Sequence, residues 1–174
     1  MSEMTLKPVG FVRSTTTEPS LVARSGDLCW EGEVSPDSDP LAGVSEIIID
    51  PEYDGLLDGV EDFSHLLILY WAHQAAPHGR TMTRAHPMGR QDLPLVGIFA
   101  TCSPARPNPL CVIAVRLVER DGCTLRVEGL DAIDGSPVID IKPYLPFYYS
   151  VPEANLSGWM NQIIEEMGGG DTAR

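Results

Sequence analysis

Positively charged residues are scarce in this sequence, which contains only two lysines, Lys7 and Lys142. Its 12 lysines and arginines are outnumbered by 25 aspartates and glutamates, so the formal net charge is −13. Proteins that bind nucleic acids usually carry basic patches, and the overall charge therefore argues against an extended nucleic-acid surface. Four arginines between residues 80 and 106 leave a local basic patch open.

Several other features are missing. No stretch approaches the roughly 18 consecutive apolar residues of a membrane span, and the first ten residues lack the apolar segment of a secretory signal. We therefore expect a cytoplasmic protein without a membrane partner. None of the four cysteines belongs to a Cys-x-x-Cys pair, so we predict no metal site. A Gly-x-Gly-x-x-Gly motif is absent as well, which argues against a Rossmann-type domain.

Short apolar segments at roughly even spacing predict seven to nine strands and one helix. The helix spans 156–167, with Ala154 or Asn155 as its cap and Gly168–Gly170 as its stop. We predict an all-β fold, a small antiparallel barrel with long loops, over residues 1–153, followed by a short C-terminal helix and tail over 154–174. A loop is predicted at 14–25 and a turn-rich insertion at 35–40. The predicted strands cover 7–13, 28–34, 45–50, 63–73, 81–85, 96–101, 112–119, 124–128 and 137–141.

The segment 98–109, Ile-Phe-Ala-Thr-Cys-Ser-Pro-Ala-Arg-Pro-Asn-Pro, is the most unusual part of the chain. Each proline fixes its own φ near −65° and biases the preceding residue toward extended conformations. We therefore predict a stiff, non-helical arm that holds Ser103, Arg106 and Asn108 at fixed angles. Such an arm suits ligand binding, although a proline-rich loop at a sheet edge would have the same composition.

Four sequence blocks resemble the TsaA-like (TrmO-type) S-adenosylmethionine-dependent tRNA methyltransferases. The first is Val-Gly-Phe-Val-Arg-Ser at 9–14, and the second is Phe-Ser-His-Leu at 63–66 with His-Gln at 73–74. The third is Gly-Ile-Phe-Ala-Thr at 97–101 with Ser-Pro at 103–104 and Arg-Pro-Asn-Pro at 106–109. The fourth is Leu-Asp at 130–131 with Asp-Gly-Ser-Pro-Val-Ile-Asp-Ile-Lys-Pro-Tyr-Leu-Pro at 134–146.

The resemblance implies a β-barrel that works as a homodimer, with S-adenosylmethionine bound near the subunit interface. It further implies methylation of the exocyclic nitrogen of threonylcarbamoyl-adenosine beside the tRNA anticodon. The resemblance assigns no catalytic residue. The expected substrate-binding residues are His86, Arg106 and Asn108. The expected cofactor-binding residues are Arg24, Ser25, His65, Leu66, Cys102, Ser103, Arg106, Val112, Leu130, Asp131 and Asp134.

Three departures from the family pattern leave the methyl acceptor open. The family usually has arginine where this chain has Cys102, and Gly-Leu-Ser or similar where it has Cys-Val-Ile at 111–113. Arg24 matches a Pro-Arg-Gln pattern, but its neighbours do not. Exchanging arginine for cysteine removes a fixed charge and several donors. A methyltransferase of the same fold that acts on a small molecule, or a non-catalytic binding module, therefore stays open beside the tRNA enzyme.

Overall fold

Six of the ten strands close into an antiparallel barrel in the order β1-β10-β5-β8-β9-β4. The computed structural model describes residues 4–24, 26–31 and 43–167. The closed six-stranded barrel confirms the predicted antiparallel barrel. The strands are β1 (Gly10–Arg13), β2 (Leu21–Arg24), β3 (Asp27–Trp30), β4 (Val44–Ile49), β5 (His65–Trp71), β6 (Arg84–Ala85), β7 (Val96–Gly97), β8 (Leu110–Asp121), β9 (Thr124–Glu128) and β10 (Pro137–Pro143).

The barrel interior is filled by alternate residues of each strand. On β5 the inward positions are Leu66, Ile68 and Tyr70, all buried, and they join one apolar cluster with residues of the other barrel strands. Successive side chains of a strand point to opposite faces, so this alternation selects one register. At β1, a Cβ on Gly10 would lie 2.1 Å from the carbonyl oxygen of Ile48. The close approach of β1 to β4 therefore requires glycine at this position.

Strands β8 and β9 form a tight hairpin. Asp121 pairs with Thr124, and Gly122 adopts a φ of 55° in the turn. An Asp-Gly pair suits this geometry because glycine enters the left-handed region at no steric cost. The hairpin continues into the segment 129–136, which crosses to β10 and carries both predicted aspartates.

A smaller module packs beside the barrel. It contains the two-stranded sheets β2-β3 and β6-β7 and a second apolar cluster. That cluster includes Ala105, so the proline-rich arm is anchored in this module. The predicted loop over 14–25 is wrong in part, because β2 lies within it. The predicted strand over 96–101 is also too long, since pairing with the two-residue β6 ends at Gly97 and a 3-10 helix, Ile98–Ala100, follows.

The remaining regular structure is short and helical. Further 3-10 helices are Pro51–Leu57, Val60–Asp62, Pro77–Thr81 and Pro87–Gly89. Helix α1 (Pro146–Tyr149) was not expected from the sequence, and it begins where a proline suits the first helical position.

Helix α2 (Gly158–Glu166) lies within the predicted helix, but its cap is Ser157 rather than Ala154 or Asn155. The Ser157 hydroxyl accepts from the backbone N–H of Met160, as N-cap serines do. The 35–40 insertion and the glycines 168–170 lie outside the described residues. Among those described, no helix has both the length and the apolar composition needed to cross a membrane.

Candidate functional site

A tyrosine, an aspartate and a cysteine meet where β5 ends and β8 begins. Tyr70 and Cys111 are paired across the two strands, and neighbours of this kind point to the same face. The Tyr70 side chain is buried, and its hydroxyl donates to Oδ1 of Asp131 at 2.6 Å. Asp131 itself is exposed, so its carboxylate bonds to a buried hydroxyl on one side and faces solvent on the other.

The charges around this cluster favour a protonated hydroxyl and a protonated thiol. Burial, the charge of Asp131 and the hydrogen bond to it raise the pKa of Tyr70 far above its ordinary value. Burial likewise raises the pKa of Cys111; the charges of Asp131 and Cys102 add to this rise, whereas the neighbouring Tyr70 hydroxyl and the charge of Arg106 oppose it. Tyr70 therefore acts as a hydrogen-bond donor to Asp131.

The proline-rich arm is braced from within. Arg106 donates through Nε to the carbonyl oxygen of Ser103 at 2.8 Å and through Nη2 to that of Thr101 at 2.5 Å. The buried Ser103 hydroxyl accepts from the backbone N–H of Ala105 at 3.2 Å. Residues 101–109 contain no helix or strand. The guanidinium thus orders the arm, while its Nη1 donates to no described residue.

The Asp-Gly corner at 134–135 fastens the loop after β1. Oδ1 of Asp134 accepts from the backbone N–H of Ser14 at 3.0 Å, and the N–H of Asp134 donates to the carbonyl oxygen of Thr16 at 2.7 Å. Gly135 has a φ of 75°, and a Cβ there would lie 3.8 Å from Nε2 of His73. The corner therefore brings His73 and the 14–16 loop to the same region.

Some predicted cofactor residues lie elsewhere in the subunit. His65 begins β5, five residues before Tyr70, which corresponds to about 17 Å along a strand. Its Nδ1 lies 2.9 Å from the hydroxyl of Ser64, and the next residue, Leu66, is fully buried in the core. Arg24 is exposed and pairs with Glu31 at 2.6 Å. Ser25 lies outside the described residues. Within one subunit the length of β5 therefore separates His65 and Leu66 from the Asp131 cluster.

Two further cofactor predictions lie near the cluster on different faces. Leu130 precedes Asp131 and is buried in the barrel core, whereas Val112 follows Cys111 and is 62% exposed on the outer face of β8. Leu130 can therefore contact a ligand only through its backbone, whereas Val112 can contact it through its side chain. The site roles assigned to all these residues stay predictions.

His86, a predicted substrate residue, is held in the side module. Its Nδ1 lies 2.6 Å from Oδ2 of Asp27, and its backbone N–H donates to Oδ1 at 2.8 Å. Gln91 donates to Oδ2 at 2.9 Å. Burial acts to raise the pKa of Asp27, but the hydrogen bonds from His86, Gln91 and Leu28 outweigh it, and the net shift is downward. This arrangement stabilises the module and orients the imidazole.

Asn108 borders an apolar cavity of about 390 Å³ on the outer side of the β5 and β8 strand ends. Trp71, Leu110 and Pro137 line the same cavity, and the guanidinium of Arg80 lies 5.8 Å from the centre of the Trp71 ring. The cavity offers an apolar wall with an amide at its edge, a combination common in small-molecule sites. Within the described residues, no group of three histidine, cysteine or acidic side chains is arranged to hold a metal ion.

The sequence did not identify Tyr70 as a functional candidate. It lies in the apolar run Leu-Leu-Ile-Leu-Tyr-Trp, where an aromatic residue reads as packing. The available signal was its inward position, because a buried tyrosine needs a partner for its hydroxyl.

Comparison with known proteins identifies the family. Residues 36–150 match the model of the tRNA-methyltransferase O N-terminal domain. A probable S-adenosyl-L-methionine-binding protein of Methanothermobacter thermautotrophicus is 45% identical over 142 residues, which are 82% of this chain and 90% of the relative. The chain belongs to the tRNA-methyltransferase O family. The resemblance found in the sequence is thereby confirmed.

Two further members of the family are longer than this chain. The Escherichia coli tRNA (adenine(37)-N6)-methyltransferase is 34% identical over 172 residues, which cover 96% of this chain and 68% of the relative. The crystal structure of TrmO from Pseudomonas aeruginosa has a TM-score of 0.63 at 28% identity and covers 88% of this chain. The chain spans 62% of that solved chain.

Proposed function

We propose that this protein methylates the exocyclic nitrogen of threonylcarbamoyl-adenosine beside the tRNA anticodon. Family membership supports the coarser statement, which is an S-adenosylmethionine-dependent methyltransferase of the TrmO family. The observation that carries the proposal is the hydrogen bond from the buried Tyr70 hydroxyl to the exposed carboxylate of Asp131, beside Cys111 at the end of β5. A cytoplasmic location, which we also propose, gives the enzyme access to tRNA.

The residues of this region fit the cofactor chemically. S-adenosylmethionine, when bound, supplies a methyl group activated by its sulfonium. Its hydroxyl and amino groups need acceptors and its carboxylate needs a cation. Asp131 is an exposed acceptor held by Tyr70, Arg106 is a cation on a braced arm, and Asn108 borders an apolar cavity. We assign Asp131 and Arg106 to binding and Asn108 to either the cofactor or the base.

Methyl transfer depends more on alignment than on acid–base groups, since correct positioning alone supplies several kcal/mol of a barrier. The site contains devices for alignment. Arg106 ties two carbonyl groups of the arm together, and Asp134 ties the 14–16 loop to the β9–β10 connection. These contacts fix the walls of the region before any ligand binds.

The outer face of β5 and β8 supports a homodimer. Leu67, Leu69 and Trp71 alternate with the core residues of β5 and are only half-buried. They pair with Ala114, Val112 and Leu110 of β8. A strand that is apolar on both faces normally packs on both faces. We propose that a second copy covers this surface, which places the interface directly behind the Tyr70 cluster.

Sedimentation analysis tests the dimer. Val112→Glu should yield monomers, because the charge would be buried at the interface, whereas Val118→Glu, further along the same strand, should leave a dimer. Wild-type protein that sediments as a monomer at micromolar concentration would refute the assembly.

Three arginines are available for phosphates. Arg80, Arg84 and Arg106 form no ion pair with any described carboxylate, and all lie between residues 80 and 106. Six others are paired with acidic residues: Arg13, Arg24, Arg90, Arg116, Arg120 and Arg126. Among the described arginines, those without an ion pair therefore lie on the arm and on the side module that anchors it, which is where we expect tRNA to bind.

Nucleoside mass spectrometry tests the proposed reaction. Purified protein, S-adenosylmethionine and tRNA that contains threonylcarbamoyl-adenosine should give the nucleoside one methyl group heavier. tRNA that lacks the threonylcarbamoyl group is the matched control and should stay unmodified. A deletion strain should lose the methylated nucleoside, and an unchanged level would refute the tRNA function.

The charge balance favours one alternative acceptor. With a net charge of −13 and most described arginines paired, a small molecule would bind without the repulsion that a polyanion meets. Transfer of label from methyl-labelled S-adenosylmethionine into a metabolite fraction, but not into tRNA, would favour this alternative.

A further inference from the structure

We propose that Tyr70 is a positioning residue that sets the orientation of Asp131 for binding S-adenosylmethionine. The inference rests on the proposed cofactor role of Asp131. It gives Tyr70, a core residue of β5, a role in the affinity for the ligand.

The position of Tyr70 shows that its hydroxyl does more than packing requires. Tyr70 is the last inward-facing residue of β5, above Leu66 and Ile68, and it is 5% exposed. Among the large side chains of the barrel core it alone ends in a hydroxyl that reaches an exposed carboxylate. A phenylalanine would fill the same volume, so the hydroxyl serves the carboxylate.

The geometry determines which oxygen of Asp131 faces a ligand. Oδ1 accepts from Tyr70 at 2.6 Å, a short distance typical of a hydrogen bond to a charged acceptor. Oδ2 receives no donor from the described residues. Because Tyr70 belongs to a closed barrel strand, it fixes one oxygen and leaves the other directed to a ligand hydroxyl or amino group.

Cys111 completes the support. It is the cross-strand neighbour of Tyr70 on the inner face of β8 and packs against the barrel core. Tyr70 is therefore confined by β8 on one side and by Val138 of β10 on the other. A side chain held in this way loses little further freedom when a ligand binds, which is the advantage of a preorganised site.

Calorimetric titration with S-adenosylhomocysteine tests the proposal without turnover. Tyr70→Phe should weaken binding about tenfold, the scale expected when one hydrogen bond to a charged group is lost. Thermal unfolding should change little, because the ring still fills the core. Tyr53→Phe, at a partly buried tyrosine of the 3-10 helix Pro51–Leu57 that packs on the same core, is the control and should bind as the wild type does.

A double-mutant cycle separates positioning from packing. Asp131→Asn alone should weaken binding, and adding Tyr70→Phe should weaken it little further, since both changes remove one coupled pair. Steady-state kinetics should show a raised KM for the cofactor with nearly unchanged kcat.

Unchanged affinity in Tyr70→Phe, or fully additive losses in the double variant, would overturn the positioning role while leaving the proposed function intact. Wild-type protein that binds neither S-adenosylmethionine nor S-adenosylhomocysteine would overturn both.

Discussion

Replacing Arg106 with lysine tests whether the arm is braced by its guanidinium or merely carries a charge. Lysine keeps the positive charge but cannot donate along two directions from a planar fork. The structure shows that both donors are used within the arm, on the carbonyl oxygens of Ser103 and Thr101. We therefore expect Arg106→Lys to loosen residues 101–106 without unfolding the barrel.

The magnitude follows from those two contacts. A hydrogen bond from a charged group contributes about 1.5–3 kcal/mol. Arg106 is only half-buried, so water replaces part of what is lost, and we take about 1.5 kcal/mol for the pair. This corresponds to about a tenfold smaller equilibrium constant between the braced and unbraced arm, and it raises the apparent Kd for the cofactor by up to the same factor.

Two measurements check the prediction. Calorimetric titration should show the weaker binding, and hydrogen exchange should be faster at the amides of Ser103 and Ala105, which donate to hydroxyl groups within the arm. Arg84→Lys, at an arginine outside the arm, should change neither cofactor affinity nor exchange. Wild-type affinity and protection in Arg106→Lys would refute the bracing role, and a loss seen only in Arg106→Ala would show that charge alone matters.

Four other predictions address charge, acidity and packing. Arg84→Ala should weaken binding to all tRNAs alike and reduce the slope of log affinity against log salt by about one, whereas Arg116→Ala, paired with Glu128 at 2.7 Å, should leave the slope unchanged. Asp27→Asn should lower the free energy of unfolding at neutral pH by about 2 kcal/mol. Folding lowers the pKa of Asp27 from 3.8, so the stabilisation by its carboxylate is present above that value and is lost as the pH falls through the folded-state pKa. Urea denaturation at several pH values should therefore show that the difference in free energy of unfolding between wild type and Asp27→Asn becomes smaller in acid. A difference that stays constant with pH would contradict a role for the ionised carboxylate. Ser136→Ala should raise the free energy of unfolding by about 1 kcal/mol, since its fully buried hydroxyl has no partner among the described residues; chemical denaturation that shows a loss would mean that the hydroxyl is bonded. Cys102→Arg should increase tRNA methylation relative to Cys29→Arg, an exposed cysteine on β3, and a decrease would indicate a thiol adapted to another acceptor.

The barrel was predictable because its information is local. The short apolar run of β5, the Asp-Gly turn at 121–122 and the even spacing of apolar segments each select an element within a few residues. The errors occur where a partner decides the conformation. Ile98 and Phe99 favour a strand by composition, yet β6 offers only two residues for pairing, so the chain turns after Gly97. Strand β2 follows a Ser- and Thr-rich stretch and is defined by its pairing with β3.

The candidate site was only partly predictable because its contacts join distant positions. Tyr70 and Asp131 are 61 residues apart, and Ser14 and Asp134 are 120 residues apart. Motifs identified the aspartates and the arm but not what holds them. The sequence also assigned His65 and Leu66 to the same cofactor site. Within one subunit, however, they lie at the start of β5, whereas Tyr70 lies near its end.

The proposed homodimer would explain why His65 and the Tyr70 cluster lie at opposite ends of β5. If a second copy covers the outer side of β5 and β8, residues at the start of β5 in one subunit and the Tyr70 cluster of the other are free to meet across the interface, and His65 regains a route to the cofactor. A monomeric Leu69→Glu variant, changed on the same outer face but outside the predicted cofactor residues, that keeps full cofactor affinity would show that one subunit suffices and that His65 of a second copy is not needed. A monomer that loses affinity while its barrel stays folded would show that the site needs both copies.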